Sequence, residues 1–227
     1  MSVINIIKDE IQLIKERDPA IHSNMEVLLY PSFKAMMYYR VAHKQYLKGH
    51  YFLARLISQK AVRKTGIEIH PGATIGKGFF IDHGAGVVIG ETAEIGDNVT
   101  LYQGVTLGGT GKEHGKRHPT IGNNVMISTG AKVLGSFKIG DNSKIGAGSV
   151  VLEEVPPGST VVGVPGRVVK SAVSSLPQDN LDHVHLPDPV REDIRNLQQA
   201  NTELINRVLE LEQRFREEER NKKSENI

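Results

Sequence analysis

Residues 121–151 read IGNNVMISTGAKVLGSFKIGDNSKIGAGSVV, and an aliphatic residue returns at every sixth position of this stretch. A period of six fits neither an α-helix nor an amphipathic strand. It is the repeat expected of a parallel β-helix, in which each hexapeptide forms one short strand and a turn. The stretch therefore predicts a solenoid whose aliphatic side chains point inward and stack from coil to coil.

Outward from this stretch, the same period begins at Ile69 and is broken twice. Eight positions separate Ile81 from Ile89, and fourteen separate Leu107 from Ile121. Insertions in a solenoid form loops on one face, which is often the binding face. Four residues at these insertions are candidates for a functional site: Asp82, His83, Arg117 and His118.

Helical patterns lie on both sides of the repeat. Isoleucines recur every three or four residues near the amino terminus, and Asp18-Pro19 and Gly49 mark breaks between helices. We predict an N-terminal helical domain over 1–66 and a parallel β-helix over 67–170. A linker over 171–189 and a C-terminal helix with its tail over 190–227 follow.

The C-terminal helix carries a heptad pattern. Its residues at spacings of three and four are Ile194, Leu197, Asn201, Leu204, Val208, Leu211 and Phe215. This is the a/d seam of a coiled coil, in which an Asn at an a position fixes the register. The dense charge on the other faces favours a self-associating coiled coil. Packing of this helix on its own domain remains the alternative.

Composition excludes several classes of function. The 227 residues contain no cysteine, which excludes disulfides, thiolate metal sites and a cysteine nucleophile. Lys and Arg number 28 against 26 Asp and Glu, a balance that argues against nucleic acid as the main partner. No apolar run approaches the roughly 20 residues of a membrane span, and no signal peptide pattern is present. We therefore expect a cytoplasmic protein without a membrane partner.

Three segments resemble a known enzyme family. They read GIEIHPGATIGKGFFIDHGAGVVIGET (66–92), YQGVTLGGTGKEHGKRHPTIG (102–122) and KIGAGSVVLEEVPPGSTVVGVPGRVV (144–169). With the upstream Arg17-Asp18-Pro19-Ala20, they resemble serine O-acetyltransferase, a family of left-handed parallel β-helix acyltransferases. The resemblance implies a left-handed solenoid. It also implies acetyl transfer from acetyl-CoA to the hydroxyl of L-serine, giving O-acetylserine for cysteine biosynthesis.

The resemblance also implies catalytic roles. A serine hydroxyl needs a general base to attack a thioester, and histidine is the commonest base near neutral pH. His83 is the candidate base, and Glu68 is the candidate carboxylate that orients it, at a position where the best-known family members have Asp. Glu68 lies fifteen residues before His83, close to the roughly eighteen that separate equivalent positions in adjacent coils. His118 matches the second active-site histidine of the family.

Further residues match the family positions that bind the two substrates. Asp18 and Asp82 match the acids that hold the serine ammonium, and Arg117 matches the residue that binds its carboxylate. Seven residues match positions along acetyl-CoA: Gly109, Thr110, Thr129, Gly130, Lys144, Ala147 and Arg167. The first two border the thioester, the next four line the pantetheine groove between neighbouring solenoids, and the last meets a CoA phosphate. No metal is expected.

The resemblance implies partners as well. Active sites of this fold lie between adjacent β-helices, so we expect a homotrimer or a dimer of trimers. Cysteine resembles serine and is expected to act as a feedback inhibitor. The terminal Ile227 matches the residue with which family members dock into O-acetylserine sulfhydrylase.

Three alternatives stay open at this point. One is acetylation of another small acceptor, against which Asp82 and Arg117 argue because they suit an amino-acid zwitterion. Another is a metal-dependent hydratase on the same fold, which needs three converging histidines. The third is a scaffold or regulatory partner of the sulfhydrylase rather than an enzyme.

Overall fold

The computed structural model describes residues 3–109, 111, 114–170 and 189–224. Four helices precede the first strand within the described range: α1 (Val3–Arg17), α2 (Asn24–Val27), α3 (Pro31–Leu47) and α4 (Tyr51–Thr65). α3 begins at Pro31, where the fixed φ of proline suits the first helical position. α4 ends at Thr65 and is followed by Gly66, whose φ of +70° and N–H bond to the Val62 carbonyl form a left-handed cap. The predicted N-terminal helical region is thus confirmed.

The predicted repeat forms short strands. In chain order they are β1 (Glu68–Ile69), β2 (Thr74–Ile75), β3 (Phe80–Asp82), β4 (Val88–Ile89), β5 (Glu94–Ile95), β6 (Thr100–Tyr102), β7 (Thr106–Gly108), β8 (Thr120–Ile121), β9 (Met126–Ile127), β10 (Lys132–Leu134), β11 (Lys138–Ile139), β12 (Lys144–Ile145), β13 (Val150–Val151), β14 (Thr160–Val162) and β15 (Arg167–Lys170). Most strands have only two or three residues, because each hexapeptide also has to supply a turn.

These strands form a three-sided parallel solenoid. Sheet I contains β1, β4, β7, β10 and β13; sheet II contains β2, β5, β8 and β11; sheet III contains β3, β6, β9, β12, β14 and β15. From β1 to β13 consecutive strands lie on consecutive sheets, and strands of adjacent coils pair in parallel. β14 and β15 both lie on sheet III, where they pair with each other in antiparallel fashion. We call the turns between the sheets corner I–II, corner II–III and corner III–I. The hexapeptide solenoid is confirmed, and its left-handed sense stays a prediction.

The aliphatic ladder predicted from the sequence fills the interior. On sheet I, Ile69 pairs with Ile89, Ile89 with Leu107, Leu107 with Val133, and Val133 with Val151. None of these five side chains is more than 4% exposed. The pairing of Leu107 with Val133 persists across the long insertion, so the inserted residues leave the solenoid at a corner without shifting its register.

Asparagines with positive φ stack at corner II–III. Asn98, Asn124 and Asn142 have φ values of +56°, +55° and +59°. The Asn98 side-chain amide donates to Asn124 Oδ1 at 3.3 Å, and the Asn124 amide donates to Asn142 Oδ1 at 3.1 Å. Asparagine tolerates the left-handed conformation better than most residues, and here its side chain also links successive coils.

This ladder leads to a stability prediction. Asn124→Ala removes both amide hydrogen bonds and puts a Cβ-bearing residue at φ of +55°, so we expect it to lower the free energy of unfolding by about 2 kcal/mol. Asn124→Gly removes the same bonds without backbone strain, and we expect a loss of about 1 kcal/mol. Denaturant unfolding measures both. An alanine variant as stable as the wild type would contradict this account of the corner.

A second compact unit contains the long helix α5 (Pro189–Ser224). This confirms the predicted C-terminal helix. No helix in the described part of the chain is both long and apolar enough to span a bilayer. The predicted linker lies outside the described residues except for Pro189, and so does Ile227, the predicted docking residue.

Candidate active site

One pocket brings together three of the predicted residues. It has a volume of about 370 Å³ and is lined by Asp18, Leu29, Tyr30, Pro31, Ser32, Asp82 and His83. Asp82 ends β3, and His83 opens corner III–I with a φ of +60°. Asp18 reaches the pocket from the turn after α1. Two carboxylates and an imidazole thus lie together at this corner.

Asp18 is held in place by its neighbours. The Tyr30 hydroxyl donates to Asp18 Oδ2 at 2.6 Å, and the Ala20 N–H donates to Asp18 Oδ1 at 2.8 Å. The hydrogen bond to Asp18 raises the pKa of Tyr30 to about 12. The tyrosine therefore stays protonated and continues to donate near neutral pH, which orients the carboxylate.

His83 and Glu68 have different partners in the single chain. The His83 side chain is 78% exposed, and its Nε2 lies 3.7 Å from Asp82 Oδ1. Glu68 Oε1 accepts from Arg55 Nη2 at 3.5 Å. Strand pairing sets Glu68 opposite Val88 on sheet I, whereas His83 lies at corner III–I. No hydrogen bond or ion pair in the described part of the chain joins Glu68 to His83, so the predicted dyad stays a prediction.

Several residues predicted to bind acetyl-CoA share the corner of His83. Thr129, Gly130 and Ala147 lie in the turns that follow β9 and β12 at corner III–I. Backbone bonds link these turns along the solenoid: Gly104 N–H to Ala85 O, Gly130 N–H to Gln103 O, and Gly148 N–H to Thr129 O, at 2.8–2.9 Å. Ala147 and Thr129 are exposed. The corner therefore presents one continuous edge from His83 to Ala147.

The remaining predicted cofactor residues lie elsewhere. Lys144 is buried in β12 on sheet III, Arg167 begins β15 on the same sheet, and Gly109 follows β7 at corner I–II. Thr110 lies outside the described residues.

Corner I–II holds the other two predicted site residues, and their surroundings were not predicted. Arg117 Nη2 donates to Glu91 Oε2, and the Tyr46 hydroxyl of α3 donates to Glu91 Oε1 at 3.0 Å. The bond from Arg117 lowers the pKa of Glu91, so this carboxylate is ionised near neutral pH. The long insertion returns to the solenoid at this point, and Glu91 in the preceding coil holds the arginine there.

Thr92 fixes His118. Its hydroxyl oxygen accepts from the backbone N–H groups of Arg117 and His118 at 3.0 and 3.1 Å. The Thr92 backbone N–H donates to His118 Nδ1 at 3.2 Å, and the Thr92 hydroxyl lies 2.9 Å from the same nitrogen. A backbone N–H can only donate, so Nδ1 is an acceptor and the neutral ring carries its proton on Nε2. Burial lowers the pKa of His118, which favours this neutral form.

Two glycines give these side chains room. A Cβ built at Gly90 would lie 1.9 Å from His118 Cδ2, so the imidazole occupies the space of that missing side chain. A Cβ at Gly109 would lie 2.9 Å from the Arg117 carbonyl oxygen. Glu91 and Thr92 were not predicted as site residues, although Gly90-Glu91-Thr92 follows Ile89, which is the repeat position paired with Leu107. Because Ile89 pairs with Leu107, the residues that follow Ile89 lie beside the insertion that follows Leu107. This spacing is the signal that could have identified Glu91 and Thr92.

The predicted residues therefore form two groups at two edges of the solenoid. Asp18, Asp82 and His83 lie at corner III–I, whereas Arg117 and His118 lie at corner I–II. Sheet I separates these corners in a single chain.

Part of the solenoid matches the model of a known protein family. Residues 118–153 match the family model described as bacterial transferase hexapeptide (six repeats), which agrees with the repeat and the solenoid. The described residues contain no cluster of three or more side chains suited to hold a metal ion.

The particular family follows from two relatives. The chain is 58% identical over 200 residues to a serine acetyltransferase of Bacillus subtilis, covering 88% of this chain and 92% of that protein. It is 55% identical over 216 residues to a serine acetyltransferase of Bacillus licheniformis, covering 95% and 96%. The chain belongs to the serine acetyltransferase family.

Solved structures of the same family are similar to this one. A serine acetyltransferase in complex with cysteine has a TM-score of 0.77 at 40% identity, covering 81% of this chain and 72% of that chain. The Neisseria gonorrhoeae enzyme in complex with serine has a TM-score of 0.70 at 44% identity, covering 74% and 69%. The Brucella abortus enzyme in complex with coenzyme A has a TM-score of 0.72 at 43% identity, covering 76% and 69%.

The Thr92 contacts lead to a prediction that needs no enzyme assay. Thr92→Val removes the acceptor for the backbone N–H groups of Arg117 and His118, so both amides should exchange with solvent faster. Thr92→Ser keeps the hydroxyl and should retain the protection. Hydrogen exchange resolved by residue measures this. Equal protection in the wild type and the valine variant would contradict the assigned bonds.

Proposed function

We propose that this protein is a serine O-acetyltransferase, which transfers the acetyl group of acetyl-CoA to the hydroxyl of L-serine. The observation that carries the proposal is the pocket of Asp18, Asp82 and His83 in a chain of this family. The relatives' structures with serine and with coenzyme A support the two substrates. A relative's structure with cysteine supports binding of cysteine as an inhibitor in place of serine.

The transfer follows a direct attack. His83 takes the proton of the serine hydroxyl through a ring nitrogen while the hydroxyl oxygen attacks the acetyl carbonyl. The new C–O bond forms, the thioester C–S bond breaks, and the proton on His83 passes to the leaving thiolate to give free CoA. No covalent enzyme intermediate is needed. The exposed His83 is accessible to a substrate in its pocket.

The serine zwitterion is held from both sides. Asp18 and Asp82 bind the ammonium, and the oriented Asp18 carboxylate suits this role because Tyr30 and Ala20 fix its oxygens. Arg117 binds the carboxylate through N–H donors that it does not use on Glu91. His118, neutral with its proton on Nε2, supplies a further hydrogen-bond donor without adding a positive charge beside Arg117.

Acetyl-CoA lies along corner III–I in this proposal. The continuous edge of turn residues from His83 to Ala147 suits the extended pantetheine arm, and Lys144 and Arg167 supply positive charge from the adjoining sheet III. Gly109 lies beside Arg117 and donates its N–H to the developing oxyanion.

The two groups of site residues support a homotrimer. Asp82 and His83 lie at corner III–I, and Arg117 and His118 lie at corner I–II, with sheet I between them. Three chains around a three-fold axis bring corner III–I of each chain to corner I–II of its neighbour, which completes three equivalent sites.

Release of free thiol from acetyl-CoA, with and without L-serine, tests the activity. We expect release that depends on serine, and a loss of about 10²–10⁴-fold in His83→Ala because general-base catalysis is removed. Release with other acceptors but not with serine would overturn the substrate. No release with any acceptor would favour the scaffold alternative, and near-wild-type turnover in His83→Ala would reject the base.

Mixing two inactive chains tests the shared site. His83→Ala and Arg117→Ala are each expected to be inactive, but co-expressed chains form mixed trimers in which one site of the three carries both wild-type residues. Random assembly should therefore restore about a quarter of wild-type activity. Co-expression of His83→Ala with Asp82→Asn is the matched control, because both changes affect corner III–I and no intact site forms. If neither mixture regains activity, each site lies within one chain.

A further inference from the structure

The long helix α5 exposes an apolar stripe along most of its length. The stripe consists of Val190, Ile194, Leu197, Leu204, Val208, Leu211 and Phe215, whose side chains are 48–70% exposed in the chain. They recur at spacings of three and four, interrupted only by Asn201. Most other residues of the helix are charged or polar, so the helix has one apolar face.

An exposed stripe of this kind needs a partner. A single helix in water is marginal on its own, and most helical stability in proteins comes from packing of the apolar face. A spacing that averages 3.5 residues keeps the stripe aligned with another supercoiled helix over several heptads. The stripe therefore fits a second copy of itself better than a flat surface.

The order of residues within the stripe matches a parallel coil. With Ile194 at a, the d positions carry Val190, Leu197, Leu204 and Leu211, and the a positions carry Ile194, Asn201, Val208 and Phe215. In a parallel, in-register coil each a residue meets its own copy, so Asn201 meets Asn201 and their side chains can hydrogen-bond. In an antiparallel coil Asn201 would meet the aliphatic d position and leave its amide unpaired.

The flanking charges also distinguish the two orientations. In a parallel coil a g residue faces the e residue five positions later on the other helix. Arg207 at g then faces Glu212 at e, and Ala200 faces Ile205. Glu212 Oε2 also accepts from Arg216 of its own helix at 3.2 Å, which leaves its other oxygen for Arg207. In an antiparallel coil g faces g instead, so Arg207 would not meet Glu212.

We propose that α5 assembles with α5 of other copies of this chain into a parallel, in-register coiled coil. A parallel coil has its rotation axis along the helices, so it is compatible with chains related by the three-fold axis of a trimer, whereas an antiparallel pair is not. The coil thus ties the subunits together through α5 itself. This inference does not depend on the reaction that the protein catalyses.

The absence of native cysteine makes the test direct, because an introduced cysteine is the only thiol in the chain. Full-length Leu197→Cys and Leu211→Cys place thiols at two d positions two heptads apart. In a parallel, in-register coil each thiol meets its own copy at disulfide distance. Each variant alone should therefore form covalent dimers on mild oxidation, seen on non-reducing gels. Asn206→Cys, at an f position on the outer face, is the matched control and should not cross-link.

The other outcomes overturn the proposal in distinguishable ways. In an antiparallel coil a positions meet d positions, so cross-linking between Leu197→Cys and Val208→Cys in a mixture, with none in Leu197→Cys or Leu211→Cys alone, would indicate that orientation. Cross-linking no greater than in the Asn206→Cys control would indicate that α5 packs on its own chain or stays single. Serine-dependent thiol release, measured on the same samples, reports on the solenoid site and is not expected to change.

Charge reversal provides a second measurement. In the Leu211→Cys background, Arg207→Glu and Glu212→Arg should each lower the yield of covalent dimer, because each creates a like-charge pair across the coil. The double variant restores opposite charges and should restore the yield. Failure of the double variant to recover, after both single variants lose yield, would contradict the pairing of these two residues.

Discussion

The stacking of one aliphatic side chain per hexapeptide keeps every coil of the solenoid in register with the next. The sheet I ladder from Ile69 to Val151 is at most 4% exposed at the five positions that it connects. Because this interior repeats, an insertion of any length has to leave at a corner and return to the same register. Corners are therefore the places where residues other than those of the repeat can collect. Both groups of candidate site residues lie at corners.

The sequence predicts those parts of the structure that follow from a regular spacing of apolar residues. The solenoid, the preceding helices and the long final helix follow from spacings of six, of three or four, and of alternating three and four. The two insertions also mark Asp82, His83, Arg117 and His118 without any coordinates. Period alone does not give the pairing of side chains between coils. Residue count places Glu68 fifteen residues before His83, whereas strand pairing aligns it with Val88, because the first insertion lengthens that coil by two residues. Its contact with His83 stays a prediction.

The polar contacts at corner I–II show why Glu91 and Thr92 are harder to predict. Each lies in an ordinary turn, and neither is close in sequence to Arg117. Their role arises only when the next coil returns from its insertion and sets Arg117 and His118 against them. A buried imidazole needs partners for its polar atoms. Thr92 meets that need for Nδ1 and for two backbone N–H groups, and Gly90 leaves space for the ring.

The two histidines at these corners lie in different environments, which suit different roles. His83 is 78% exposed, in a pocket with two carboxylates, so a bound molecule can reach its ring. His118 is 8% exposed and held neutral by donors to Nδ1, so it is suited to donate one fixed hydrogen bond rather than to exchange protons. In the proposed mechanism the general base His83 and the carboxylate-binding Arg117 lie at different edges of one chain, so they need a neighbouring chain to act on the same serine. Under that proposal the chemistry requires association of chains, and the proposed coil of α5 would contribute to the site indirectly.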